Sequence, residues 1–240
     1  MGKAQRKDNE FKIKPKISVI TPASRGVKCL SNLFRDFKNQ TVPKNEFEHV
    51  VVYDGTIPAD VQKLADEYKK LYNLRLVSIK KDMGDMRIAP GTRPRNYGVS
   101  IAKGEYCCFA DDDDRFKDAY CESFLSNMGD KVVACVQMSC QKSRMYLDGS
   151  KDEWVLIPEI GLPHFPLICH IGTPCFCVPR EWALAEPWRH EPEHDYRFIK
   201  RICERFHPEV RIIGGMSVDV DGLVLRGLRD WVSNPPFYRE

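Results

Sequence analysis

The sequence predicts an α/β protein with a mostly parallel central sheet and helices on both faces. Two observations carry this expectation. Through the first half of the chain, short apolar runs alternate with amphipathic helical patterns. Each run also ends on turn or acidic residues, so Thr21, Asp54 and Asp111 are expected on one rim. The carboxyl ends of parallel strands share that rim, and ligands of such sheets bind beyond it.

Taken in order, Ile17-Ser18-Val19-Ile20 is a buried strand stopped by Thr21-Pro22. Val27, Leu30, Leu33, Phe34 and Phe37 form one apolar helix face, broken at Gln40 to Pro43. Val50 to Tyr53 is a second strand, and Asp54-Gly55 supplies turn chemistry at its end. Val61, Leu64, Ala65, Tyr68 and Leu71 mark a second helix, and Leu74 to Ile79 a third strand. Lys80 to Thr92 is polar, carries Gly84, Pro90 and Gly91 and has no period, which reads as a mobile loop. Arg93 to Ala102 is helical, and Tyr106 to Ala110 is a fourth strand.

Beyond Asp114 the pattern loosens. A short helix over Ala119 to Met128 precedes a strand over Val132 to Ser139. Short strands are expected at Arg144 to Leu147, Trp154 to Ile157 and Cys175 to Val178. A marked helix runs from Asp195 to about Arg205, and Ile212-Ile213 and Val218 to Val220 are weaker strands. This half reads as a mixed continuation of one sheet.

The 240 residues are 42% hydrophobic and 30% charged, enough apolar material for a real core. A net charge of +3 is too even to signal nucleic acid. The most basic stretch, Lys3 to Lys16, reads as a frayed leader. No apolar run approaches the roughly 20 residues that span a bilayer, and no signal-peptide core appears. The expectation is a cytoplasmic protein, compatible with peripheral membrane contact. Ten cysteines contain no C-x-x-C pair, which favours buried free thiols. A metal held by Cys169, His170, Cys175 and Cys177 is the alternative.

Four aspartates, Asp111 to Asp114, follow the apolar fourth strand directly. Side chains alternate where the strand carries them to the sheet edge, so Asp111 and Asp113 are expected to face one side. Two carboxylates near one point suit a hard divalent cation such as Mg²⁺ or Mn²⁺, typically shared with substrate phosphates. A solvated acidic turn or a helix start would use the same residues, and Asp114 reads as a helix-start residue.

In this order the sequence resembles family 2 glycosyltransferases. The resemblance rests on Ile17 to Pro22, Val51-Val52-Tyr53-Asp54-Gly55, Arg95-Asn96-Tyr97-Gly98, Ala102 to Tyr106 and Phe109 to Asp114. It implies the GT-A fold, a Rossmann-like mixed sheet, and transfer from a nucleotide-diphosphate sugar (a UDP-sugar above all) with inversion. On that footing Thr21, Pro22 and Asp54 cradle the nucleoside, and Asp111 lies near the ribose. Asp113 is the principal ligand of Mn²⁺ or Mg²⁺ in a DXD motif, with Asp111 and Asp112 close by. Arg95 either contacts the phosphates or buttresses the loop. Asp195 is the catalytic base of the segment His194 to Ile202, where His194 replaces the family's usual glutamate, and a slipped register would make Glu193 the base. The chain then divides into a leader, 1–15, and one domain, 16–240, with a nucleotide-sugar half (16–114) and an acceptor half (115–240). Trp182, Trp188, Arg189 and His190 either line an acceptor groove or pack the core. The tail Arg226 to Trp231 is placed to close over the donor. The acceptor stays open among glycan, lipid-linked, protein and nucleic-acid hydroxyls.

Two rivals share the scaffold. A nucleotidyltransferase requires a glycine-rich basic loop after the first strand, and Thr21 to Gly26 offers one glycine and one arginine. A non-catalytic nucleotide- or metal-binding module requires Asp195 to be buried and paired, or to lie away from Asp113.

Overall fold

The structure is a computed structural model that describes residues 14–81, 89–141, 154–161, 164–168 and 170–219. Residues 1–13, most of the loop expected over Lys80 to Thr92, the strand expected at Arg144 to Leu147, Cys169 and the tail Arg226 to Trp231 lie outside them.

The parallel core of the sheet forms first along the chain. Strand β1 (Ile17–Ala23) lies between β2 (Phe47–Asp54) and β4 (Tyr106–Phe109), and β3 (Leu74–Ile79) pairs with the outer side of β2. All three pairings are parallel. Because β1 is covered on both faces, it reads as a continuous apolar run, with Ile17, Val19 and Ile20 fully buried. Helices α1 (Val27–Lys38), α2 (Ala59–Tyr68) and α3 (Thr92–Ile101) supply the crossovers. Leu30, Leu33, Phe34 and Phe37 of α1 are the buried stripe that the sequence marks.

The second half joins the same sheet in mixed sense. Strand order is β3-β2-β1-β4-β8-β6-β9-β5, with β7 paired to β6. Here β5 is Arg115–Phe116, β6 Val132–Gln141, β7 Trp154–Ile157, β8 Phe176–Pro179 and β9 Glu209–Asp219. Strand β8 runs antiparallel to β4 and β6, whereas β9 runs parallel to β6. Helices α4 (Tyr120–Leu125), α5 (Arg180–Ala185) and α6 (His194–Phe206), with a 3₁₀ turn at Thr173–Cys175, complete the described elements.

Two local expectations change. The weak strand pieces around Ile212 and Val218 belong to one strand, β9, interrupted where the register against β6 shifts after Val136 and after Gln137. Gly215 takes φ +95° there and donates its N–H to Gln137 Oε1 at 3.0 Å. The irregularity erases the period-2 signal over Gly214-Gly215. Asp114 starts no helix: it leads into β5, and α4 begins only at Tyr120.

The crossover from α3 into β4 explains the Ala102 to Tyr106 pattern. Gly104 donates its N–H to Ser18 Oγ at 2.9 Å, and a Cβ on it would lie 2.6 Å from the Ser18 nitrogen. Ser18 in turn donates to the buried Glu48 Oε1 at 2.7 Å. Glu48 also receives the Lys103 N–H and, at 3.2 Å, Arg75 Nη1. Eight cysteines among the described residues are reduced thiols, six of them buried. Burial raises the pKa of Cys107, Cys135 and Cys177. Cys175 and Cys177 sit in this core, and no trio of His, Cys, Asp or Glu among the described residues forms a metal set.

Candidate active site

The carboxyl ends of β1, β2 and β4 open onto a cleft of about 520 Å³. Pro22, Asp54, Arg95 and Asp111 to Asp114 line one side; Met138, Ile157, Ile171 and Pro174 form an apolar wall; His194 and Asp195 also border it. A parallel sheet brings its strand ends to one rim, so residues more than 80 positions apart meet there.

The aspartates reach this rim on a turn. Strand β4 ends at Phe109, and the Asp114 N–H approaches the Asp111 carbonyl at 3.4 Å. Alternation along a strand is therefore not what places Asp111 and Asp113 together. The turn gives each carboxylate its own surroundings. Asp112 is buried, and its Oδ2 accepts the Ser24 and Arg25 N–H groups at 3.2 and 3.3 Å. Desolvation pushes its pKa up to about 6 against the pull of Arg25. Asp113 is raised by burial and next by the Asp111 charge.

Arg25 is the site residue that the sequence did not single out. From the bend after β1 its Nη2 lies 2.9 Å from Asp113 Oδ2 and its Nε 3.4 Å from Asp112 Oδ1. Its own position in a polar loop carries no period or motif that signals this reach. The same contacts count against a nucleotidyltransferase loop: the Ser24 and Arg25 N–H groups are spent on a carboxylate, not left facing a phosphate.

Arg95 is buried and fixed from three directions. Nη1 donates to the Pro90 carbonyl at 2.9 Å, Nη2 pairs with Asp111 Oδ1 at 2.5 Å, and the guanidinium lies 4.9 Å from the Trp188 ring centre. That geometry is a buttress for the Pro90-Gly91 turn and for Asp111. Gly91 takes φ +82° just before α3 and leaves no room for a side chain between Pro22 and Arg95.

Trp188 and His194 tie this side to the start of α6. Trp188 is buried, stacks on Phe198 at 4.2 Å and lies 5.8 Å from His194. It is therefore core, as is Trp182 against Phe206. Burial and the nearby Arg95 charge lower His194 to about 4, which leaves it neutral at pH 7. Asp195 follows in the first turn of α6, its Oδ1 accepting the Tyr196 N–H at 2.8 Å. Desolvation lifts its pKa to about 6. Glu193 instead has φ +52°, pairs with Arg197 at 3.5 Å and is not part of the cleft lining.

Thr21 is another sequence candidate that the cleft does not receive. Its side chain is fully buried, with Oγ1 2.9 Å from Nε2 of His49, whose Nδ1 is 3.1 Å from the Tyr72 hydroxyl. Along β1 the side chains alternate, so Pro22 faces the cleft and Thr21 turns away.

Asp111 and Asp113 fit a hard divalent cation. Their mutual repulsion and oxygen chemistry favour one, and such ions typically keep one or two carboxylates and complete their shell with phosphate and water. No helix among the described residues is long and apolar enough to cross a membrane.

Comparison with known proteins follows the same lines. A poly(ribitol-phosphate) beta-N-acetylglucosaminyltransferase of Staphylococcus aureus, TarS, is 34% identical over 99 residues, which is 41% of this chain and 16% of that protein. A poly(ribitol-phosphate) beta-glucosyltransferase of Bacillus spizizenii is 35% identical over 99 residues, covering 41% of this chain and 15% of the relative. The matched stretch is thus about one sixth of these curated relatives. The crystal structure of TarS residues 1–349 with UDP-GlcNAc superposes with a TM-score of 0.64 at 20% identity, over 85% of this chain and 58% of that one. A Pyrobaculum calidifontis mannosyltransferase in complex with GDP-Man and Mn²⁺ gives 0.65 at 15% identity, over 92% and 61%. These likenesses show the GT-A fold. The pattern of glycosyl transferase family 2 matches residues 18–177, from β1 into β8 and through every aspartate of the turn, and the chain belongs to that family.

Proposed function

We propose that this chain is an inverting glycosyltransferase that moves a sugar from a UDP-sugar to an acceptor hydroxyl. The observation that carries the reading is the meeting of Asp195 with the Asp111 to Asp113 turn in one cleft, from more than 80 positions apart in the chain. Asp54 and Pro22 flank the nucleoside, and Asp111, Asp112 and Asp113 face the diphosphate. Asp113 and Asp111 would hold a divalent cation, which would supply Lewis-acid stabilisation of the leaving diphosphate. Arg95 keeps Asp111 in place. Asp195 accepts the proton of the attacking hydroxyl, and a pKa of about 6 makes it a stronger base than an ordinary carboxylate while leaving it ionised at pH 7. Glu193, paired to Arg197, takes no part.

The UDP-sugar assignment is supported by the structural neighbour solved with UDP-GlcNAc, and the cation by the neighbour solved with Mn²⁺. The relatives named for poly(ribitol-phosphate) suggest a polyol-phosphate hydroxyl as acceptor. Residues 16–240 act as one domain in this reading, with 16–114 on the donor and 115–240 on the acceptor, in the cytoplasm.

A panel of nucleotide sugars, assayed for hydrolysis and for transfer to poly(ribitol phosphate) with Mn²⁺ or Mg²⁺, tests the proposal. UDP-sugar turnover that needs the cation is expected. Asp113→Ala loses turnover together with cation-dependent donor binding, and Asp195→Ala keeps donor binding and loses transfer. Failure of every donor to bind or turn over overturns the reading.

A further inference from the structure

We infer that Arg25 is an exchangeable counter-ion: it holds Asp112 and Asp113 until a divalent cation and a diphosphate arrive, then releases the carboxylates and pairs with the diphosphate. This rests on the donor site proposed above.

The geometry is asymmetric. The Asp112 and Asp113 side chains are each 9% exposed, whereas that of Arg25 is 43% exposed and spans both. A cation coming from solvent therefore meets the guanidinium before it meets the carboxylates. Arg25 sits on a bend, and its successor Gly26 has nothing within 4 Å of a Cβ position, so the loop has space to adjust. The main chain stays anchored meanwhile, because the Ser24 and Arg25 N–H groups hold Asp112 independently of the Arg25 side chain.

Arg95 behaves differently. It is 4% exposed and locked among Pro90, Asp111 and Trp188, so it cannot leave its carboxylate without unpacking. The turn thus has one fixed cation and one removable one. A guanidinium binds carboxylate and diphosphate oxygens with the same planar fork, which makes an exchange of partners direct.

Mn²⁺ binding to the full chain, followed by the electron paramagnetic resonance of free Mn²⁺, reads this without any need for turnover. Arg25→Gln is expected to bind Mn²⁺ alone about fivefold more tightly than wild type, the factor set by losing a partly exposed ion pair. UDP is expected to strengthen Mn²⁺ binding more in wild type than in Arg25→Gln, because only wild type gains a phosphate partner for the freed guanidinium. Arg25→Lys keeps the charge and stays within about twofold of wild type. Equal or weaker Mn²⁺ binding by Arg25→Gln overturns the inference alone, as does equal tightening by Arg25→Lys. Absence of Mn²⁺ binding to every form, with UDP present, overturns the donor-site reading as well.

Discussion

Asn96 and Trp188 satisfy one another in both directions: Asn96 Nδ2 donates to the Trp188 carbonyl at 2.8 Å, and the Trp188 N–H donates to Asn96 Oδ1 at 2.9 Å. The pair joins α3, which carries Arg95, to the chain that enters α6, which carries Asp195. It is the physical content of an Arg-Asn-x-Gly signature whose asparagine otherwise suggests only a helix start.

Asn96→Ala removes both bonds and leaves the N–H and carbonyl of a buried residue unsatisfied. The expected loss is about 2 kcal/mol, read as a lower urea midpoint at unchanged slope. Asn96→Asp keeps the acceptor and loses the donor, so its midpoint should fall between the two. An Asn96→Ala midpoint equal to wild type would show that water replaces the clamp at no net cost.

Gly98 completes the same signature. A Cβ on it would run into Ile20 Cγ2, where α3 lies against β1. Gly98→Ala is expected to cost about 1–3 kcal/mol through overpacking, against the usual stabilisation when a helical glycine becomes alanine. Thermal unfolding of the variant distinguishes the two signs.

Glu48 gathers Ser18, Arg75 and the Lys103 N–H around one buried carboxylate. Glu48→Ala strands these donors, one of them an arginine, and is expected to cost about 3 kcal/mol or more. Glu48→Gln keeps an acceptor oxygen and should fall well short of that loss in the same denaturation series.

How far the sequence reached depended on what each signal measures. Periodicity found β1 to β4 and the α1 stripe because those elements are covered on fixed faces. It failed over β9, where the shift around Gly215 breaks the alternation. Strand-end logic found Asp54, the aspartates and the side of the cleft that they share. It put Thr21 on the rim, where the family resemblance gave it to the nucleoside, because a strand end has two faces and the sequence alone does not say which one Pro22 takes. Arg25 had no signal at all, since a loop arginine gains its role only from the carboxylates that folding brings to it. Asp195 was legible as a helix-start acid, and only the fold shows that it borders the cleft while Glu193 does not.

Asp195 gives a pH dependence with a definite sign. Its carboxyl titrates near 4 in an unfolded chain and at about 6 in the folded protein, because burial disfavours the charged form. Between those values the folded state binds more protons than the unfolded one. The stability associated with the protonated form is thus fully present below about pH 4. It is lost as pH rises through about 6. Asp195→Asn mimics that protonated form, so its stability should match wild type near pH 4 and exceed it at pH 7. The difference is expected to be on the order of 1 kcal/mol, reduced from the raw shift because the residue keeps some contact with solvent. Asp112 also titrates at about 6, and taking the difference between variant and wild type cancels its contribution. Transfer by wild type should decline as pH falls through about 6, where the base becomes protonated. A stability difference that does not vary between pH 4 and 7 would refute the raised pKa, and with it the account of why this carboxylate serves as a base.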